Sequence, residues 1–190
     1  MKDDLRARTV DKLSPGSVTQ ALIQAGALLT GYELVKSSIL DGVRDFFIIG
    51  FDEAGVTISP EYQKVLALEP RNRFKASVAW LIEMEALKPE HAETLERIRD
   101  HRGEVAHELA RLLIDPDTGV DVSLLKDLRN CMHALDRFWG SIEVDINPDF
   151  DGTEVDLDAI RSGSGLLLDY LCDLSGLDSE SSESKTRGDS

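Results

Sequence analysis

Between Leu22 and Phe47 the apolar residues Leu22, Leu28, Leu29, Tyr32, Val35, Ile39, Val43, Phe46 and Phe47 return mostly at three- and four-residue steps. That period keeps one stripe of an α-helix apolar, whereas a strand would alternate every second residue. A pattern this long commits the chain to helix before composition is considered. Ser14-Pro15 opens it with a capping residue followed by proline at the first helical position, a pairing that suits a helix start. The stretch reads as one long helix or as two joined near Gly26–Gly31.

The same reading continues along the chain. Gly50 to Ile58 is expected as a loop with at most a short extended stretch. Ser59-Pro60-Glu61 restarts a short helix that ends at Pro70. Residues 71–87 carry Phe74, Val78, Leu81 and Met84 on one stripe, and Lys88-Pro89 punctuates before a helix running to about Ile114. Asp115-Pro116-Asp117-Thr118-Gly119 is a turn by composition. Asp121 caps a further helix bearing Leu124, Leu128, Cys131, Leu135, Phe138 and Ile142, which Asn147-Pro148-Asp149 breaks. Thr153 can cap a last helix through Leu174, its first half weakened by Ser162-Gly163-Ser164-Gly165. Neither strand alternation nor an internal repeat stands out. The expected fold is all-α, an antiparallel bundle of about five helices with short connections. The expected organisation is a flexible lead-in over 1–13, one helical domain over 14–176, and an acidic disordered tail over 177–190.

Charge narrows the function. With 36 acidic and 21 basic residues the net charge is −15, the opposite of the positive footprint a general nucleic-acid binder needs. The imbalance is uneven. Glu143, Asp145, Asp149, Asp151, Glu154, Asp156 and Asp158 fall in one stretch without a base, while Arg97, Arg99, His101 and Arg102 crowd together as a local basic patch. The acidic run lacks histidine partners and calcium-loop spacing. Cys131 and Cys172 sit among apolar neighbours without a C-x-x-C pair, so they read as buried reduced thiols. No metal and no cofactor is expected. The longest apolar region, Ala21–Leu29, is interrupted by Gln24 and too short to span a bilayer. With no leader pattern over Met1–Lys12, the expectation is a cytoplasmic protein without membrane contact.

The stretch that carries chemistry is Ile98-Arg-Asp-His-Arg-Gly-Glu-Val-Ala-His-Glu108, preceded by a helix ending in Leu81-Ile82, a break at Pro89 and an acidic helix. Within it Arg102 stands five residues before His107. The segment Arg71–Leu113 resembles the HEPN family, in which an arginine, often followed by asparagine, stands four to six residues before a histidine. The resemblance implies an all-helical fold, a homodimer with both motifs at the interface, and metal-independent RNA cleavage in active members. It also implies toxin–antitoxin, phage-defence or stress roles, with an antitoxin or other protein as partner.

The chemistry is coherent. Cleaving RNA without a metal uses the neighbouring 2′-hydroxyl as nucleophile, and an imidazole near neutrality can take or give the proton. A guanidinium can hold the phosphate and its developing charge. His107 would be the general acid/base and Arg102 the phosphate clamp, with Arg97, Arg99, His101 and Glu104 in RNA-binding or supporting places. Two departures count. Gly103 replaces the side chain the family prefers after the arginine. A five-residue step is also about 140° around a regular helix, so Arg102 and His107 meet only through side-chain reach, a kink at Gly103 or a partner subunit. A structural arginine–carboxylate pair beside an exposed histidine is the other reading of these residues. Glu104 and Glu108 could pair with Arg102 or orient His107. His91 reads as solvated and His133 as a helix-surface or interface histidine. Two functions stay open: a HEPN-like metal-independent endoribonuclease, or a non-catalytic HEPN-like dimeric module binding a protein or nucleotide.

Overall fold

The computed structural model describes residues 2–53 and 55–177. The expected acidic tail lies, from residue 178 onward, outside the described residues. Seven helices occur among the described residues: α1 (Lys2–Lys12), α2 (Pro15–Phe46), α3 (Tyr62–Leu68), α4 (Arg73–Glu83), α5 (Pro89–Ile114), α6 (Ser123–Ile146) and α7 (Gly163–Leu174). Among the described residues no helix is long and apolar enough to cross a membrane. The mostly helical expectation holds, and α2 is one continuous helix.

Three expectations are corrected. Residues 2–12, read as a flexible lead-in, form α1. Its sequence carries no apolar stripe, and its anchoring comes from distant partners: Arg8 pairs with Asp117, and the Lys12 ammonium donates to the carbonyls of Asp115 and Thr118. The region read as a loop with a short extended stretch is an antiparallel hairpin, β1 (Ile48–Asp52) with β2 (Gly55–Ile58), one small sheet in a mostly helical fold. Ile49, Phe51 and Val56 stay exposed there, which hides the inward–outward alternation that would have marked the strands. Thr153 starts no helix. The chain runs through 3-10 turns at Pro148–Phe150 and Leu157–Ala159, and α7 begins only at Gly163. Asn147 and Asp156 accept backbone N–H bonds from Asp149 and Asp158, so the Asx chemistry of this acidic run favours turns over helix.

The chain divides into two compact units. The first comprises Met1–Glu33, Leu95–Arg129 and Leu166–Ser190. Its core is Leu28, Leu95, Ile98, Val105, Leu125, Leu128, Leu168 and Cys172, all at 1% exposure or less. A Cβ at Gly31 would fall 2.9 Å from Leu168 Cδ1 and 3.3 Å from Leu128 Cδ1, so the missing side chain lets α2 approach α6 and α7. Gln20 and Gln24 donate to the Ser175 carbonyl at 2.8 and 3.3 Å, fixing the end of α7 against α2. Both cysteines are buried, as the sequence reading expects, and the Cys172 thiol donates to the Leu125 carbonyl at 3.7 Å.

The second unit comprises Leu34–Thr94 and Asn130–Gly165. Val35, Ile39 and Val43 of α2 pack in a core with Val65, Leu81, Met132 and Leu135. An aromatic cluster continues it, with Trp80 centred 5.2 Å from Phe46, 5.6 Å from Phe47, and 6.4 Å from both Phe138 and Trp139. Arg73 donates to the Tyr62 hydroxyl at 3.0 Å and to the Leu40 carbonyl at 3.2 Å, tying α4 to α3 and α2.

Candidate functional site

Helix α5 presents the arginine–histidine motif in the first unit. Leu95, Ile98, Val105 and Leu112 bury one stripe of it, and Arg102 flanks that stripe. The Arg102 Nη2 donates to Glu33 Oε1 at 3.0 Å, and the guanidinium carbon lies 6.0 Å from the Tyr32 ring centroid. Arg102 and Glu33 side chains are 37% and 44% exposed. The Arg102 Nε is buried without a hydrogen-bond partner. Burial, and then Glu33, push the Tyr32 hydroxyl above its ordinary range of about 10, against the opposing pull of Arg99 and Arg102. Arg102 is thus a half-buried arginine oriented by a carboxylate and a ring, with donors beyond the one given to Glu33.

His107 is exposed on the same helix. The backbone break in α5 falls at Glu108 (φ −118°, ψ 22°) and not at Gly103, so of the three routes by which Arg102 and His107 could meet, the kink at Gly103 is not the one present. A Cβ at Gly103 would meet nothing within 4 Å. The structure therefore does not use Gly103 to turn Arg102 toward His107.

The supporting residues are engaged elsewhere. His101 Nε2 accepts the Asp121 N–H at 2.9 Å, and its Nδ1 lies 3.2 Å from Glu104 Oε2. An acceptor role for Nε2 places the ring proton on Nδ1, where it bonds Glu104. His101 fastens the turn before α6 to α5. Glu104 is its partner, and Glu108 pairs with Arg111; these are not the Arg102 and His107 roles weighed from sequence. Arg97 pairs with Asp127 at 2.9 Å, and Arg99 with Glu96 at 2.6 Å and Asp100 at 2.8 Å. The basic patch legible in sequence is matched, arginine by arginine, with carboxylates. Most of these pairs are solvent-exposed, and such pairs contribute only about 0–1 kcal/mol.

Sequence reasoning missed a second constellation. In the second unit a cleft of about 560 Å³ is lined by Glu85, Lys88, His91, His133, Arg137 and Asp158, among others. Both histidines are half-buried rather than simply solvated or on an outer surface. His133, Arg137 and Ser141 do recur at four-residue steps, a signal for one shared helix face. Nothing in the sequence reports that His91 lines the same cleft. Among the described residues no group of three or more His, Cys, Asp or Glu side chains is placed to hold a metal ion. No protein-family model, curated protein or solved structure matches this chain.

Proposed function

We propose that the chain is a HEPN-like helical bundle acting as a metal-independent endoribonuclease, with Arg102 as phosphate clamp and His107 as general acid/base. The observation that carries this reading is Arg102 itself. It is held by Glu33 over Tyr32, remains partly open to solvent, and stands on the same helix as an exposed His107. The pair is partly open to solvent, so a phosphate can compete with Glu33 for the guanidinium, and the fork geometry of arginine suits that ligand. His107 would take the 2′-hydroxyl proton as that oxygen attacks phosphorus and the bond to the 5′-oxygen breaks. The products would be a cyclic phosphate and a 5′-hydroxyl. The helical angle between the two side chains makes a homodimer through α5 part of the proposal, with a cytoplasmic toxin–antitoxin, defence or stress role and an antitoxin as partner.

The test is cleavage of total RNA by purified protein in EDTA. His107→Ala and Arg102→Ala are each expected to lose about 10²–10⁴-fold in rate while circular dichroism stays native. Wild-type protein that leaves RNA intact from pH 6 to 8 would refute it. A second reading, a non-catalytic HEPN-like interaction module, is favoured by apolar surface. Leu166, Leu167, Tyr170 and Leu174 are 59%, 43%, 58% and 45% exposed on α7, and span about 100° of the helix. Exposed apolar stripes of this kind mark partner surfaces.

A further inference from the structure

We propose that the cleft in the second unit binds a phosphorylated, ring-bearing small molecule of nucleoside-monophosphate size. The proposal does not rest on the Arg102–His107 motif, since neither residue lines the cleft. One wall is α6. His133 and Arg137 are one four-residue step apart there, so both project from one face. The opposite wall is the connection from α4 to α5. Glu85 holds a left-handed backbone (φ 59°), the single non-glycine residue to do so among those described. Such a conformation is strained for a residue with a side chain and persists where surrounding contacts fix it. Here the N–H groups of Ala86 and Leu87 both donate to the Leu81 carbonyl, at 2.9 and 3.1 Å, which pins the turn.

The groups the cleft presents sort by chemistry. Lys88 and Arg137 are cations. His91 Nδ1 accepts the Lys88 N–H at 3.0 Å, so the neutral ring carries its proton on Nε2 and acts as a donor there. These groups suit a phosphate. Phe138, Leu157, Ala86 and Ala134 supply apolar lining for a ring, and Glu85 and Asp158 can accept from ligand hydroxyls. The volume, about 560 Å³, lies in the range of small-molecule sites. Arg137 pairs with Asp158 at 3.1 Å, but these side chains are 62% and 74% exposed. A pair that open is weak, which leaves the Arg137 fork available to a phosphate, an anion it can hold through two parallel hydrogen bonds.

The experiment titrates the full chain with AMP, adenosine and inorganic phosphate in separate series, read by calorimetry and histidine-ring NMR. AMP is expected to bind saturably and to move the His91 and His133 resonances while those of His107 stay fixed. Adenosine and inorganic phosphate should each bind more weakly. Arg137→Gln, an exposed position, should fold normally and weaken AMP by about tenfold or more. No saturable shift of His91 and His133 at about 10 mM AMP, a range that detects millimolar affinity, overturns the site. Unchanged affinity in Arg137→Gln overturns the phosphate assignment, and inorganic phosphate binding as tightly as AMP overturns the ring. RNA cleavage lost in His107→Ala with AMP binding intact separates this site from the proposed ribonuclease.

Discussion

Replacing Gly42 by alanine tests the packing of the second unit in one atom. In an open helix interior, glycine to alanine stabilises by about 0.5–1 kcal/mol, because alanine loses less backbone freedom on folding. At Gly42 the new Cβ would lie 2.9 Å from Trp139 Cε2 and Nε1, and 3.0 Å from Cζ2. Aromatic rings hold the indole on one side, while on the other Gly42 and Trp139 border a cavity of about 460 Å³. Phe138 is 4.8 Å away by ring centroid, Phe46 6.1 Å, and Trp80 stacks at 6.4 Å with 19° between planes. Admitting the methyl still pushes the indole off its aromatic neighbours, and overpacking costs typically about 1–3 kcal/mol, so the expected net effect is a loss of about 1 kcal/mol. Gly26 on the same helix is the control, exposed and with nothing within 4 Å of its Cβ position. Gly26→Ala should gain about 0.5–1 kcal/mol. For a chain of this length 1 kcal/mol moves Tm by about 2–4 °C, so the two variants should melt roughly 3–8 °C apart on opposite sides of wild type. Thermal melts by far-ultraviolet dichroism read the difference, and the near-ultraviolet spectrum reports the indoles. If both alanines raise Tm equally, Trp139 has room and the close approach of α2 to α6 is refuted.

Gly103→Asn restores the side chain that the resemblance implies after the arginine, into space with nothing within 4 Å. If Arg102 and His107 cleave RNA, the variant should be faster by about tenfold, the worth of one hydrogen bond of roughly 1.4 kcal/mol in the transition state; an unchanged or slower rate counts against the motif. Tyr32 is raised above 10 by burial first and by Glu33 second, so its contribution to stability is whole below pH 10 and is lost as pH climbs through the raised value. Absorbance titration of wild type against Tyr32→Phe should therefore show the missing phenolate transition above pH 10, and a transition at or below 10 refutes the buried environment.

What could be read from sequence followed local chemistry. The bounds of α5 agree with the reading at both ends, because Lys88-Pro89 and Asp115-Pro116 punctuate it. The Ser14-Pro15 signal marked the start of α2 equally well. Its continuity was harder, since Gly26 and Gly31 weaken a helix taken alone; at Gly31 the compensation is Leu168, in a helix far along the chain. Helix α1 was invisible for the same reason. No apolar face announces it, and Arg8 meets its carboxylate 109 positions away. The stretch from Asn147 to Asp158 reads as a break followed by a helix capped at Thr153, but the side chains of Asn147 and Asp156 accept backbone N–H bonds and build turns there.

The candidate sites divide along the same line. Arg102 and His107 were found because both lie on one short segment. Whether Arg102 faces a substrate or a carboxylate depended on Glu33, 69 positions away. His133 was seen and set aside, because its worth comes from lining one cleft with His91 and Asp158. A net charge of −15 explains why each arginine of the local patch has a carboxylate partner. In a chain with this excess of acids, an arginine on a helix surface meets a carboxylate before it meets a phosphate. Arg97, Arg99 and Arg102 all do so here. Any anion must therefore displace a carboxylate, and the exchange is easiest where the pair is most exposed and other donors converge. Arg137 satisfies both conditions: its pair with Asp158 is more open than that of Arg102 with Glu33, and Lys88 lines the same cleft. On this reasoning the second unit should retain a small phosphate at ionic strengths where the α5 patch has already released a nucleic-acid backbone, since backbone affinity falls steeply with salt.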